Sequence, residues 1–480
     1  MFNACKKDVL VNSIDKNEIS SIQFVEGRLH FTNSEQLTQK INELKKLDDT
    51  KVENEMAKFY EKGFKPLKPF YKETDFELKE EYATKKALKL KSSNEAGDDD
   101  ELIADDFFAS VLNENREIQV SDTIYRYTDK GLFFCHIDDI DELEQYLEIL
   151  NLNSNFKSGQ VVPCEMGEEE LGVQPMNDYV KRFVPYPDCG NGGSGSGTGS
   201  GSGSSTNYGD TFVNNLPECE TRNGFWQILG DVKICEDYYD DRHRVKTKYW
   251  KQKYLIFGSS IGVSVKHQKR TLGIFWTTKT DEIRLGLKQV YFEYEMPVPN
   301  IQNTIPVLIA YQGKFYNNNL QILSVLNGAP QLPQLPFQDG YNIVNIWLNF
   351  PLLGYQNVTV TSKEMNKLFW NKAWGYAKDL GKKLGKPEPK KVTMVGFTSN
   401  KVIINHVDRE KVEYNDGKIN HIFDWNGQIT FKWTTNVNGG FQWSMPSVKS
   451  LYDYKKAKID IYGVAKQGSV WKGSRLVFTE

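Results

Sequence analysis

The sequence predicts an α+β protein made of two modules joined by a flexible linker. Three observations support this fold class: the charge changes sign along the chain, a Gly/Ser tract separates the two halves, and the second half is mainly strand-like. With 480 residues, of which 39% are hydrophobic and 26% are charged, the chain can build two or three hydrophobic cores. We expect an acidic α+β module over residues 1–188, a linker over residues 189–209, and a basic, Trp-rich, mainly β module over residues 210–480.

The net charge of −3 conceals two oppositely charged halves. Residues 1–188 contain 24 Lys and Arg against 39 Asp and Glu, a net charge of −15, so the remainder of the chain carries +12. Nine basic residues and no acidic residue lie within residues 242–270. Clustered positive charge of this kind favours an anionic partner.

The linker is marked by its composition. Residues 190–205 read GNGGSGSGTGSGSGSS, without an apolar side chain, and such a tract behaves as a flexible coil. So regular a run is either native or an engineered insertion. It formally matches the glycine fingerprint of dinucleotide-binding proteins, but it lacks the preceding strand and following helix that such a site requires. We find no nucleotide, zinc or hydrolase motif, and we expect no cofactor and no metal site.

Short elements alternate in the first module. Residues 22–31 predict a hairpin around Glu26 and Gly27, and a helical period of apolar residues begins at Ser34. Residues 94–106 are acidic, and we expect them to be mobile. Beyond them the sequence predicts three strands and a helix, at residues 117–120, 123–127 and 132–135 and from Asp138.

The second module is rich in β-branched and aromatic residues at strand-like spacing. We expect antiparallel sheets in a sandwich-like arrangement. One long helix is the exception, because Thr361 and Glu364 form a capping box and the helical period continues to Leu384. The pair Asn426-Gly427 predicts a hairpin between residues 419–423 and 428–433.

The basic stretch is the first candidate binding surface. In an extended strand Arg244, Lys246 and Lys248 share one face, so their charges form a row that an anionic polymer could follow. The same row could instead be a solvated face that keeps the protein soluble and discourages edge pairing. The candidate residues here are Arg242, Arg244, Lys246, Lys248, Trp250 and Lys266.

Tryptophans are the second candidate. All ten lie beyond the linker, and an indole exposed on a sheet offers a flat apolar surface for a sugar ring. Trp425 and Trp443 lie near predicted turns and are the best candidates for such stacking. Packing of these rings in the core is the alternative interpretation.

Catalysis is a further alternative for the second module. Two His/Asp pairs could act as acid and base, and three clustered carboxylates could serve glycoside hydrolysis. Structural roles explain these residues more simply, and no activated Ser or Cys accompanies them. The groups concerned are His406 with Asp408, His421 with Asp424, and Asp237, Asp240 and Asp241.

The first residues bear on the compartment. The run Ala-Cys-Lys-Lys-Asp around Cys5 resembles the lipidation site of bacterial lipoproteins and the mature ends of surface lipoproteins of the Bacteroidota. Residues 113–134, NENREIQVSDTIYRYTDKGLFF, and residues 242–268, RHRVKTKYWKQKYLIFGSSIGVSVKHQ, resemble segments of uncharacterised lipoproteins of that phylum. The resemblance implies a lipid on Cys5 and a location at the outer membrane or cell surface, and it implies no activity.

A signal peptide would need a charged and an apolar region before Cys5, and the four residues there are too few. Either the true start codon lies upstream, or the resemblance does not hold and the protein is cytoplasmic. Export would permit disulfides, and the remaining cysteines show no zinc-site spacing. We expect Cys219 to pair with Cys235, closing a loop worth about 3 kcal/mol, and Cys164 to pair with Cys189. Buried thiols in a cytoplasmic protein are the alternative.

These observations predict a non-enzymatic cell-surface lipoprotein whose second module binds an extracellular partner. An anionic polysaccharide or lipopolysaccharide fits the basic row best, and nucleic acid is the less favoured anion for an exported protein. A surface or secreted polysaccharide hydrolase is the alternative from another class. A structural subunit of a surface assembly, with a protein partner, is a further alternative.

Overall fold

A computed structural model describes the larger part of the chain. The protein has an α+β fold that is rich in strands and contains several antiparallel sheets. The described residues are 22–72, 74–92, 102–128, 130–152, 172–184, 205–218, 229–295, 307–311, 314–317, 319–322, 343–348, 375, 379, 392–397, 401–425, 428–435, 441–450 and 453–480. Six α-helices have both ends within the described residues: Ser34–Leu44 (α1), Asp49–Tyr60 (α2), Phe76–Ser92 (α3), Asp106–Val111 (α4), Ile140–Leu152 (α5) and Asp210–Asn214 (α6).

The first module contains one sheet of seven strands. Their order across the sheet is β1-β2-β3-β4-β5-β7-β6, with β2 and β3 parallel and the other pairs antiparallel. The strands are Gln23–Val25 (β1), Arg28–Phe31 (β2), Glu117–Val120 (β3), Thr123–Thr128 (β4), Gly131–His136 (β5), Gly172–Pro175 (β6) and Lys181–Val184 (β7).

The local signals of this module are confirmed. Glu26 and Gly27 have φ angles of 47° and 81°, which a tight turn between β1 and β2 requires. The Asn33 side chain caps α1 by accepting a hydrogen bond from the Gln36 amide at 2.9 Å. Leu37 and Ile41 of α1 are buried against the sheet, so the predicted amphipathic helix lies where its apolar period requires.

The second module contains two large sheets and a strand pair. Strands β8 to β11, with β18 paired to β10, form a five-stranded sheet, and eight strands form the other in the order β14-β13-β15-β16-β17-β12-β21-β22. Strands β19 and β20 pair with each other. The bounds are Gly230–Tyr238 (β8), His243–Lys253 (β9), Ser259–Thr271 (β10), Ile274–Thr277 (β11), Thr280–Glu295 (β12), Val307–Tyr311 (β13), Lys314–Tyr316 (β14), Ile343–Leu348 (β15), Val392–Phe397 (β16), Lys401–Asp416 (β17), Lys418–Trp425 (β18), Gln428–Thr435 (β19), Phe441–Ser450 (β20), Lys456–Gln467 (β21) and Val470–Thr479 (β22).

These two sheets pack face to face. Val245 and Tyr249 of β9 and Val263 of β10 share a buried core with Ile283 of β12 and Ile459 of β21. Because side chains alternate along a strand, the residues between them on β9 and β10 point away from this core. The outward face of β9 and β10 is therefore available to meet the first module.

One predicted hairpin is wrong. Strand β18 pairs with β10, and β19 pairs with β20, so residues 419–423 and 428–433 are not partners among the described residues. Pairing with β10 buries Ile419 and Phe423 in the core between the sheets, and β19 takes β20 as its partner. The predicted linker at residues 190–204 and the predicted long helix lie outside the described residues, apart from Gly375 and Asp379, which are helical.

The expected mobility of residues 94–106 is also wrong for the part that the structure describes. Leu102 and Ile103 are fully buried, and both join a core that also contains Tyr254 and Phe257 of the second module. The three apolar residues at positions 102–104 follow the acidic run. Their burial orders this part of the segment, although the acidic composition predicted mobility. Among the described helices, none is long and apolar enough to cross a membrane.

Candidate functional site

The outward face of the five-stranded sheet carries a row of lysines. Lys246 of β9 lies directly opposite Lys266 of β10, and Lys266 lies directly opposite Lys418 of β18. Glu236 of β8 lies opposite Lys246 on its other side. Like charges directly opposite each other on neighbouring strands are destabilising, so a row of three lysines requires anions nearby.

Residues 102–106 of the first module lie across this face. The Gln252 side-chain amide donates to the Leu102 carbonyl at 2.9 Å and accepts from the Ala104 amide at 2.7 Å. The Lys248 ammonium donates to the Ala104 carbonyl at 2.6 Å. These bonds fix the backbone of the first module against β9.

Asp105 is fully buried at the same contact. Its side chain accepts from the Ser260 hydroxyl at 2.6 Å and caps α4 by accepting from the Phe107 amide at 2.9 Å. Its own amide donates to the Tyr254 hydroxyl at 3.2 Å. Burial raises the pKa of the Asp105 carboxyl above its ordinary value.

Asp106 supplies an anion to the lysines. Its carboxylate lies 2.6 Å from the Lys266 ammonium, 3.6 Å from that of Lys248 and 3.9 Å from that of Lys68. Burial alone would raise the pKa of Asp106, but the ammoniums of these three lysines and of Lys418 outweigh burial and hold the pKa well below its ordinary value. Asp106 is therefore a carboxylate held by cations of both modules.

Beside Asp106 a pocket of about 120 Å³ opens between the modules, and we call it the intermodule lysine pocket. Its wall contains six lysines and one carboxylate, that of Asp106. Two further carboxylates lie close to these lysines among the described residues: Asp49 pairs with Lys418 at 3.2 Å, and Glu236 lies opposite Lys246. The lysines are Lys68 and Lys86 from the first module and Lys246, Lys248, Lys266 and Lys418 from the second.

Aromatic rings complete the wall of the intermodule lysine pocket. The Lys418 ammonium lies 4.0 Å from the centre of the Phe70 ring, which is a cation–π contact. Trp276 of β11 packs edge-on against Tyr82 of α3, with ring centres 5.5 Å apart. Trp276 is only partly buried, so part of the indole is open to a ligand at the pocket.

A buried hydroxyl also faces the intermodule lysine pocket. Ser264 of β10 lines the pocket and is 1% exposed. Its Oγ makes no hydrogen bond within the described part of the chain. Buried polar groups are normally satisfied, so this hydroxyl is a donor or acceptor that a bound group could use.

Three of the predicted binding residues, Lys246, Lys248 and Lys266, line this pocket. Arg244 is buried, and it donates to Gln268 at 2.9 Å and to Glu236 at 2.8 Å. Arg242 is exposed at the turn before β9 and is not part of the pocket wall.

The tryptophans predicted as binding residues are not among the residues that line this pocket. Trp250 is 2% exposed, donates from Nε1 to the Ser260 hydroxyl at 2.8 Å, and packs with Ala104 of the first module. Its ring is covered by the protein and offers no stacking surface. Trp425 and Trp443 lie on β18 and β20, and their side chains are outside the described residues.

Several residues of the intermodule lysine pocket were not anticipated: Lys68, Lys86, Asp106, Ser264, Trp276 and Lys418. Turn signals precede two of them, at Leu272-Gly273 before Trp276 and at Asp416-Gly417 before Lys418. Those signals predict turns and carry no information about which residues meet. The apolar run at residues 102–104 within an acidic segment was the most direct sign of a buried contact.

The carboxylates considered for hydrolysis have structural partners. Asp237 accepts from the Gly473 amide at 2.9 Å and lies 3.5 Å from the Lys472 ammonium, and burial raises its pKa. Asp240 accepts from the backbone amides of Arg242 and His243, and these bonds, with the His243 side chain, lower its pKa. Asp241 is exposed.

The two histidines considered for acid–base chemistry come close together. The rings of His406 and His421 have centres 6.5 Å apart, and His406 is fully buried. The side chains of Asp408 and Asp424 are outside the described residues. Throughout the described ranges, no group of three or more His, Cys, Asp or Glu residues has the arrangement of a metal site.

The cysteine pairings stay predictions. Cys235 is buried in the second module, while Cys5, Cys164, Cys189 and Cys219 lie outside the described residues. Cys135 is a buried free cysteine of β5, and burial raises its pKa to about 11.

A larger cavity of about 370 Å³ lies in the first module. The charged residues of its wall are Lys85, Lys86, Arg116, Arg126, Lys130, Glu114 and Glu144. Arg126 pairs there with Glu144 and with Glu117, and the Lys85 ammonium lies 3.6 Å from the Glu114 carboxylate. The intermodule lysine pocket is the stronger candidate for binding, because its wall contains three of the residues predicted from the sequence, Lys246, Lys248 and Lys266.

In comparisons with known proteins, no protein-family model and no curated protein matches the sequence.

Proposed function

We propose that this chain is a non-enzymatic binding protein that holds an acidic group of an extracellular partner in the intermodule lysine pocket. An anionic polysaccharide is the partner class that we favour. The observation that carries the proposal is the row of Lys246, Lys266 and Lys418, directly opposite one another on three neighbouring strands.

The row is unfavourable without anions, and carboxylates lie at hydrogen-bonding distance from two of its members, Asp106 beside Lys266 and Asp49 beside Lys418. Like charges directly opposite each other on neighbouring strands are destabilising, and a bound anion would reduce this repulsion. The position of all three lysines in the wall of a pocket therefore supports anion binding.

The first module covers part of β9, and this cover limits the size of the ligand that can bind. Residues 102–106 cover the part of β9 around Lys248 and Gln252, so a polymer lying along the whole strand would collide with the first module. An acidic group that projects from a polymer can still enter the pocket. We therefore propose recognition of a projecting acidic group in place of the extended row expected from the sequence.

For the location we propose the cell surface, with a lipid on Cys5 and the pairs Cys219–Cys235 and Cys164–Cys189. The support is the resemblance of the Ala-Cys-Lys-Lys-Asp run and of two internal segments to surface lipoproteins of the Bacteroidota. Labelling of the native host with an alkynyl fatty acid tests it. We expect label on the protein and none on Cys5→Ser, and unlabelled native protein would contradict the proposal.

Retention on immobilised polysaccharides tests the binding function. We expect the full chain to bind sulfated and carboxylated polymers at low salt, to elute as salt screens the charges, and to pass through a neutral polymer. Lys68→Gln should shorten retention, because Lys68 lines this pocket and its side chain is 18% exposed. Lys411→Gln is the matched control, because Lys411 lies on β17 and is 47% exposed. Equal loss of retention in both variants, or no retention at all, would contradict the proposal.

A further inference from the structure

We propose that the hairpin between β10 and β11 docks on an anionic lipid surface, with Leu272 at its tip entering the boundary between headgroups and acyl chains. The basic residues beside the tip would meet the lipid phosphates. The proposal goes beyond the proposed function, because Leu272 and these basic residues are not among those that line the intermodule lysine pocket.

The hairpin closes with a two-residue turn at Leu272 and Gly273. Thr271 lies directly opposite Ile274, and the φ angles of Leu272 and Gly273 are 54° and 83°, as in a type I′ turn. The first position of such a turn favours Asn, Asp or Gly, because a bulky side chain is strained at positive φ. The leucine therefore makes this turn less stable than a polar residue would.

The turn between β1 and β2 has the same geometry and a polar residue at this position. Glu26 and Gly27 have φ angles of 47° and 81°, and Glu26 is exposed. Leu272 is 54% exposed, so its side chain gains little from burial and does not favour its turn. A single exposed leucine is ordinary on a protein surface, but one that also strains its turn indicates a use outside the fold.

The tip projects beyond its neighbours in the five-stranded sheet. The Arg270 amide donates to the Arg242 carbonyl at 2.6 Å, so the turn between β8 and β9 ends beside Arg270. Leu272 lies two residues further along β10, roughly 7 Å beyond that level at the rise of a strand. On the other side of β10, strand β18 begins at Lys418, opposite Lys266. Within this sheet the hairpin tip therefore extends furthest at this end.

Exposed cations lie beside the tip. The Nε atom of Arg270 donates to the Gly273 carbonyl at 3.4 Å, which holds this guanidinium at the turn. Long basic side chains next to an apolar one suit a membrane surface, because their charged ends reach the phosphates while their alkyl parts lie with the apolar side chain. The exposed cations are Arg242, Lys269 and Arg270.

Two acids, Asp240 and Asp241, are exposed in the turn between β8 and β9. Asp240 accepts from the amides of Arg242 and His243 at 2.7 Å and 2.8 Å, so its carboxylate is held within its own turn, which ends short of the tip. An anionic polymer would be attracted by the cations and would gain nothing from the leucine, whereas a bilayer favours both. An anionic lipid surface is therefore the partner that accounts for the tip and for the cations beside it.

Sedimentation with lipid vesicles tests the proposal. Every protein is the full chain with Cys5→Ser, so that no acyl chain on Cys5 contributes. We expect binding to vesicles of phosphatidylcholine with phosphatidylglycerol, and at least tenfold weaker binding to phosphatidylcholine alone. Leu272→Asn should weaken binding to the anionic vesicles about tenfold, the effect of no longer burying one leucine side chain. Lys269→Gln combined with Arg270→Gln should weaken it at least tenfold, since each cation near an anionic surface contributes about fivefold.

The substitution of Leu272 separates membrane binding from stability. Asn is favoured at positive φ, so Leu272→Asn should keep or raise the thermal unfolding midpoint while it weakens vesicle binding. Ile149→Asn is the matched control, because Ile149 is 59% exposed on α5, and it should bind vesicles like the parent protein. Leu272→Gly, which the turn also accommodates, takes the place of Leu272→Asn if that variant does not fold.

The outcomes also separate this proposal from the proposed function. Retention on anionic polysaccharides should be unchanged in Leu272→Asn, and vesicle binding should be unchanged in Lys68→Gln. No binding to anionic vesicles, or binding that is equal in the parent protein and Leu272→Asn, would overturn the proposal. Loss of polymer retention in Leu272→Asn without vesicle binding would overturn it as well, because the tip would then contact a polymer.

Discussion

The carboxylate of Asp106 lies 2.6 Å from the ammonium of Lys266, although the two residues belong to modules of opposite charge. The contact is buried, and Leu102 and Ala104 beside it are hydrogen-bonded to Gln252. The opposite charges of the two modules therefore serve partly to hold the modules together. The basic face binds the first module, and only its uncovered part can bind something else.

Replacing Asp106 tests this complementarity. We expect Asp106→Asn to lower the free energy of unfolding by about 3 kcal/mol at neutral pH, because it leaves buried lysines without their carboxylate. Urea denaturation measures the difference. Asp178→Asn is the control, because Asp178 is exposed, and equal stability of the two variants would contradict the account.

The same pair predicts a pH dependence. The pKa of Asp106 is lowered well below its ordinary value in the folded protein, so its stabilising effect is complete above the ordinary pKa near 4. The effect is lost as the pH falls through the pKa that Asp106 has in the folded protein. The difference in the free energy of unfolding between the wild type and Asp106→Asn should therefore narrow progressively below about pH 4. A difference that widens there would contradict a lowered pKa of Asp106.

The Gln252 amide tests the backbone contact between the modules. Gln252→Ala removes a donor to Leu102 and an acceptor for Ala104, leaving buried backbone groups unpaired, so we expect a loss of about 2 kcal/mol. Gln39→Ala is the control, since Gln39 is exposed on α1. Denaturation curves of the two proteins that coincide would contradict this role of Gln252.

A substitution at Gly262 of β10 tests how closely this strand packs against Trp250 of β9, beside the contact between the modules. A Cβ atom there would overlap the indole of Trp250, so Gly262→Ala must displace the indole and should cost about 1–3 kcal/mol. Gly209→Ala meets no atom within 4 Å and serves as the control. A thermal unfolding midpoint that is unchanged in Gly262→Ala would contradict the packing described.

The disulfides can be tested by non-reducing peptide mapping of protein from its native host. We expect a linked pair of peptides containing Cys219 and Cys235, and an alkylated Cys135, because Cys135 is a buried free thiol only exposed by denaturation. Recovery of Cys219 and Cys235 alkylated without reduction would contradict the pairing and weaken the case for export.

Much of the fold could be predicted from local patterns. The helix from Ser34 and the strands at residues 117–120 and 132–135 follow apolar periodicity and β-branched or aromatic composition, and they are confirmed. The hairpin at Asn426-Gly427 is wrong, since β18 pairs with β10, where Ile419 and Phe423 are buried, and β19 pairs with β20. Local turn chemistry does not reveal which strand offers a better partner.

The candidate site could be predicted only in part. Lys246, Lys248 and Lys266 are visible as a basic cluster in the sequence. Their partner Asp106 lies 160 residues before Lys266 along the chain, and no spacing rule connects the two. Trp250 resembled a stacking residue, yet Ala104 of the first module packs against its ring. Contacts between modules decide which basic and aromatic residues are open, and sequence patterns do not report such contacts.

The most direct test of the central claim is a crystal structure of the full chain grown with selenate, a tetrahedral oxyanion whose selenium atom is located by anomalous scattering. We predict a strong anomalous peak in the intermodule lysine pocket, within hydrogen-bonding reach of Lys246 or Lys266 through the selenate oxygens. Peaks at surface lysines with none in the pocket, at selenate concentrations that saturate those surface sites, would contradict the account.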